Sequence, residues 1–149
     1  MRNPITRAAV VAAAAAATVL SGVVGAGSAS ADDLRAVADN YMNMSADDFA
    51  NAAKDPRFDW STDGCSGPTE PIFANACLQH DFGYRNYGNH GALKLSPTAE
   101  TKEWIDGQFL EQMRNACGDK YPPDVVGSCI DNAQYAWQAV HSAGGGSFF

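Results

Sequence analysis

Stretches that alternate apolar and polar residues for any length are missing after Ala31, and so is any hydrophobic run able to cross a bilayer. The first absence argues against a β-sheet protein and the second against a membrane-spanning one. Basic residues are also scarce. Residues 32–149 carry 8 Lys and Arg against 17 Asp and Glu, a formal charge of −9 once Arg2 and Arg7 are set aside. That balance repels the phosphates of nucleic acid and offers no broad cationic face to an anionic membrane. Residues 61–66 hold no Gly-x-Ser-x-Gly elbow, which disfavours a serine lipase.

The N-terminus reads as an export signal. Arg2 and Arg7 form a positive start, an alanine-rich apolar stretch follows, and "ASA" at 29–31 is a small-x-small cleavage site. Cleavage after Ala31 is expected, leaving residues 32–149, the length of one domain, as a secreted, extracellular and monomeric protein. Ser21, Gly22 and Gly25 interrupt the stretch and argue against a retained anchor.

Four cysteines, Cys65, Cys77, Cys117 and Cys129, follow the signal. An even number bound for an oxidising compartment favours two disulfides over free thiols or zinc. Three pairings are possible, and Cys65–Cys77 with Cys117–Cys129 is preferred because each closes a short segment. Each bridge contributes about 3 kcal/mol through loop closure. Zinc held by Cys65, Cys77 and His80 lacks an evident fourth ligand.

Helical spacing dominates the chain. A first helix begins at Asp32 or Asp33 and carries Leu34, Val37, Ala38 and Tyr41 on one side. Ser45 reads as the N-cap of a second, with Asp48 at its third position. A third runs from about Ile72 to Tyr87. Ser96-Pro97 predicts the start of a fourth, reaching Cys117 with Gly118 as terminator, and a last helix spans Ser128 to about His141. Residues 144–149, "GGGSFF" with its leading glycines, read as a frayed, flexible tail. The expected architecture is a small all-α, disulfide-stapled domain with two long antiparallel helices.

The third helix concentrates chemistry in "CLQHDFGYRNY", 77–87. His80 and Tyr84 share one face and Cys77 and Asp81 another, while adjacent His80 and Asp81 point about 100° apart. A Cys65–Cys77 bridge brings Asp63 toward Asp81. Two carboxylates and the carbonyls of a glycine turn make an all-oxygen site suited to calcium outside the cell. On the fourth helix Asp106 interrupts the apolar stripe of Phe109, Leu110, Met113 and Cys117. A buried carboxylate needs a partner, and His80 across the helix pair is the economical one. The pair would leave the second imidazole nitrogen as a general base acting on water.

"DGCS" at 63–66, "CLQHDFGYRNY" and "WID" at 104–106, together with "FDWSTD" at 58–63, resemble the secreted phospholipases A2, particularly their small two-disulfide prokaryotic and fungal branch. The resemblance implies that His80 activates water, Asp106 orients it, and Tyr84 supports the dyad. It implies Asp63, Asp81 and the main-chain carbonyl of Gly64 as calcium ligands, and hydrolysis of the sn-2 ester of glycerophospholipids at a micelle or membrane surface. Two departures from the animal enzymes stand out: the "DGCS" turn is short, and Gly83 replaces a helix cysteine. Weak calcium binding, on the order of 10⁻⁴ to 10⁻³ M, is expected.

Phe58, Trp60 and Phe73 suit either acyl contact or core packing, and His90 and His141 read as surface residues. Phe148 and Phe149 suit either a loose tail or contact with lipid, the tail being preferred. A catalytically silent binding or toxin-like protein on the same scaffold is the alternative function. The joint presence of Asp63, His80, Asp81 and Asp106 argues against it.

Overall fold

A computed structural model describes residues 30–67 and 69–149. Of the expected signal segment, 1–31, residues 1–29 lie outside the described residues. Among the described residues six α-helices follow one another: α1 Ala31–Met42, α2 Ala46–Asn51, α3 Ala74–Tyr87, α4 Ala99–Lys120, α5 Val126–Ala143 and α6 Gly145–Phe148, with a 3₁₀ turn at Pro71–Phe73 leading into α3. No strand occurs among the described residues.

Caps set most boundaries. The Ser30 side chain accepts from Asp33 N while the Asp33 carboxylate accepts from Ser30 N, so α1 begins just before the expected Asp32. Ser45 caps α2 as expected, accepting from Asp48 N. The start of α4 is corrected to Thr98, whose hydroxyl accepts from Thr101 N; Ser96 instead bonds the Thr101 hydroxyl and donates its N–H to Tyr87 O. Gly118 does not stop α4. The helix ends at Tyr121, held extended by the proline that follows it. Pro122 O then accepts the N–H groups of Val125 and Val126, so α5 starts two residues earlier than Ser128.

Helices α3 and α4 run antiparallel, as successive contacts show: Tyr87 against Trp104, Gly83 against Ile105, His80 against Phe109. Their apolar faces close two cores. One gathers Met42, Phe49, Phe58, Phe82, Tyr87 and Ile105 beneath α1; the other gathers Phe73, Phe109, Met113, Cys117 and Cys129 between α4 and α5. Gly83 sits where a Cβ would lie 2.8 Å from Ile105 Cγ2, so its missing side chain lets the two long helices approach.

The disulfides are Cys65–Cys77 and Cys117–Cys129, with Cα separations of 5.2 and 5.7 Å. The first removes two of the three zinc ligands weighed above. The tail reading is corrected. Residues 145–148 form α6, Phe148 is fully buried with its ring 5.1 Å from that of Tyr84, and its carbonyl accepts from Asn89 N at 2.7 Å. An aromatic ring with somewhere apolar to go outweighs the glycines before it.

Candidate active site

The opposed faces of α3 and α4 bring His80 and Asp106 together, 26 residues apart in sequence. His80 Nε2 lies 2.9 Å from Asp106 Oδ1, and the Tyr84 hydroxyl donates to the same oxygen at 2.9 Å. Asp106 is wholly buried and His80 nearly so. Tyr84 and Phe109 lie against the imidazole, with centroids 4.3 and 4.7 Å away. Nε2 bonded to a carboxylate carries the proton of the neutral ring, leaving Nδ1 as the basic nitrogen. Among the described residues no group hydrogen-bonds to Nδ1.

A third partner of Asp106 went unread in the sequence. Lys102 Nζ donates to Asp106 Oδ2 at 2.6 Å from one helical turn earlier and is itself buried. The i, i+4 spacing was the available signal, since a buried carboxylate seeks a cation one turn away. Burial pushes the Asp106 carboxyl up, but the bonds from His80, Lys102 and Tyr84 outweigh it and hold the group below the usual carboxylate range. Burial, and then the Asp106 charge, push the Tyr84 phenol far up, so it acts as a donor and not as a base.

Asp81, next to His80, faces the 61–66 loop instead. Its Oδ2 accepts from the Thr62 hydroxyl at 2.5 Å, Asp63 N at 3.1 Å and Gly64 N at 3.2 Å. The Cys65–Cys77 bridge fastens this loop to α3, and Gly64, at φ +72°, makes the turn. Partial burial raises the Asp81 carboxyl, the Thr62 bond lowers it, and the charge of Asp63 raises it further. Asp63 is exposed, with the Arg85 guanidinium 3.7 Å away. Arg85 Nε is buried without a hydrogen-bond partner among the described residues.

Among the described residues no three His, Cys, Asp or Glu side chains cluster as a metal site. A third protein oxygen would have to come from the backbone. The donor set nevertheless suits a hard divalent cation, because the charge of Asp63 helps to raise the Asp81 carboxyl and every available ligand atom is oxygen.

His80, Asp81, Asp63 and Gly64 line one cleft of about 490 Å³, walled on its apolar side by Phe109, Ala139, Val140 and Ala143. Phe58, Trp60 and Phe73 take no part in it. Phe58 and Phe73 are core, and Trp60 packs on Phe82 while donating its indole N–H to Asp55 O. His90 is exposed at the cleft rim. The surface reading of His141 is corrected: it is half-buried, stacked on Trp137, with Nδ1 3.9 Å from Asp106 Oδ2.

The sequence profile of the prokaryotic phospholipase A2 family matches residues 37–144, a span that contains His80, Asp106, the 61–66 loop and both disulfides. The chain belongs to this family. Two curated relatives are each named a secretory phospholipase A2. That of Arthroderma benhamiae is 35% identical over 71 residues, covering 45% of this chain and 45% of its own. That of Beauveria bassiana is 32% identical over 91 residues, covering 58% of this chain and 44% of its own. The chain thus spans less than half the length of each relative it matches. The chain has an all-α, disulfide-stapled plan, and His80, Asp106, Tyr84 and Lys102 form one connected group within it.

Proposed function

We propose that the chain is a secreted, calcium-dependent phospholipase A2 that hydrolyses the sn-2 ester of glycerophospholipids, releasing a fatty acid and a lysophospholipid. The observation that carries the reading is the buried His80–Asp106 pair opening onto a cleft that also holds Asp63 and Asp81. His80 Nδ1 takes a proton from water, and the hydroxide so formed attacks the ester carbonyl carbon. Asp106 holds the ring in the Nε2–H tautomer and stabilises the imidazolium that forms. The imidazolium then returns its proton to the departing glycerol oxygen as the tetrahedral intermediate collapses. Tyr84 fixes Asp106, and the Phe109–Val140 wall excludes water around the acyl chain.

Asp63, Asp81 and the Gly64 carbonyl would hold calcium, which supplies Lewis-acid stabilisation of the developing oxyanion and a counter-charge for the lipid phosphate.

Fatty acid release from a phospholipid labelled only at sn-2 tests the reading, with calcium, with chelator, and with His80→Ala. Release that requires calcium and falls by about 10²- to 10⁴-fold in His80→Ala is expected. A folded, oxidised protein that releases nothing at any calcium concentration would return the assignment to a silent binding protein. Calcium should also raise the melting temperature of the inactive His80→Ala protein. Saturation at 100 times Kd corresponds to about 2.7 kcal/mol. Asp63→Asn and Asp81→Asn should each abolish that shift.

A further inference from the structure

One buried charged side chain has no part in the reaction just described. Lys102 sits on α4 one turn before Asp106, and its ammonium has three protein acceptors: Asp106 Oδ2 at 2.6 Å, His141 O at 3.3 Å and Val140 O at 3.5 Å. Three acceptors match the three protons of the group. Val140 and His141 belong to the last turn of α5, where carbonyls face outward and the helix dipole is negative. The ammonium is therefore fixed from two helices at once.

The two oxygens of Asp106 are served differently. Oδ1 receives His80 and Tyr84, both from α3, whereas the hydrogen bond to Oδ2 comes from Lys102. His141 Nδ1 stands 3.9 Å from Oδ2 and 3.6 Å from Glu103 Oε1. The terminal torsion of an aspartate is broad and roughly two-fold, so a carboxylate held at one oxygen can pivot. Holding the second oxygen removes that freedom.

We propose that Lys102 is the positioning residue of the dyad: anchored on the α5 carbonyls, it locks the Asp106 carboxylate in the orientation that bonds His80 Nε2. The inference rests on the phospholipase reading of the same site. A plain tie between α4 and α5 is the competing role, and Cys117–Cys129 already joins those two helices.

The test uses the full chain as Lys102→Met, Lys102→Gln and Lys102→Arg, with kcat and KM measured separately on the sn-2-labelled phospholipid at saturating calcium. Lys102→Met should lower kcat by about 10- to 100-fold, the usual effect of removing the partner that orients an active group, with KM unchanged. Lys102→Arg, which keeps the charge and the donors, should recover most of kcat, with Lys102→Gln between them. Nitrogen NMR of ¹⁵N-histidine-labelled protein supplies a readout independent of turnover. The wild type should show His80 as the single Nε2–H tautomer, and Lys102→Met or Lys102→Gln a mixture. A folded Lys102→Met with wild-type kcat and a wild-type His80 spectrum, even with a lowered melting temperature, would overturn the proposal in favour of the plain tie. Should Lys102→Met fail to fold, Lys102→Gln decides by the same criteria. If the wild type releases no fatty acid, the phospholipase reading fails, and the His80 spectra still decide the role of Lys102.

Discussion

Asp106 is where burial and charge are most finely opposed. Its folded proton affinity is lowered relative to an ordinary aspartate, because bonds from His80, Lys102 and Tyr84 outweigh its desolvation. A carboxyl lowered in this way adds stability that is fully present above the unfolded value near 3.9 and is lost as pH falls through the folded value. Unfolding measured against pH should therefore show a fall in stability on the acid side that is shallower in Asp106→Asn. The same substitution should cut fatty acid release by about 10²- to 10⁴-fold, since the amide no longer stabilises the imidazolium. Gly83 tests packing at the same scale. Replacing a helical glycine by alanine gains about 1 kcal/mol of helix propensity, but the new Cβ meets the stiff, β-branched Ile105 at 2.8 Å. Overpacking of this kind costs about 1–3 kcal/mol. Gly83→Ala should thus lower the melting temperature, where an open helical glycine such as Gly107 would raise it.

At the scale of elements, α3 and α4 are the frame and α6 is the brace. Phe148 places its ring against Tyr84, and the Gly144–Gly145 junction follows the α5 turn that holds Lys102. Phe148→Ala should cost about 3–5 kcal/mol, the usual loss for a buried phenylalanine, and denaturant unfolding would measure it. The helical pattern of α3 and α4 was legible because charged and apolar residues recur at steps of three and four around His80 and Asp106. The contact between His80 and Asp106 was legible for the same reason: a carboxylate in an apolar stripe has few ways to be satisfied. α6 was not legible, because four residues give no periodicity and glycine argues against helix unless a tertiary contact compensates. The early stop predicted at Gly118 failed because glycine permits a helix end without imposing one, whereas Tyr121-Pro122 imposes it. Lys102 was overlooked because lysine is rarely buried, and only its neighbour one turn along explains its position.

At the scale of the whole molecule, the acidic balance and the two disulfides matter most. With a charge of −9 over residues 32–149, we expect slower turnover on anionic than on zwitterionic vesicles at low salt, converging as added salt shortens the Debye length from about 30 Å at 0.01 M to about 10 Å at 0.1 M. Faster turnover on anionic vesicles at low salt would reject that expectation. The cysteine pairing was legible from segment length alone, since each bridge spans a sequence separation of 12. The contacts between the 61–66 loop and Asp81 were not, because they rest on the direction in which backbone N–H groups point.

In a secreted phospholipase the Cys65–Cys77 bridge would also act as a lock set by compartment. It is the covalent hold on the loop that carries Asp63 and Gly64, and a reducing cytosol would leave it open. A chain made there would carry His80, Asp81 and Asp106 but not the covalent tether on the loop that brings Asp63 and Gly64 to them. If the chain is the phospholipase proposed above, the producing cell's own membranes would be spared until oxidation, on the far side of that membrane, closes the loop.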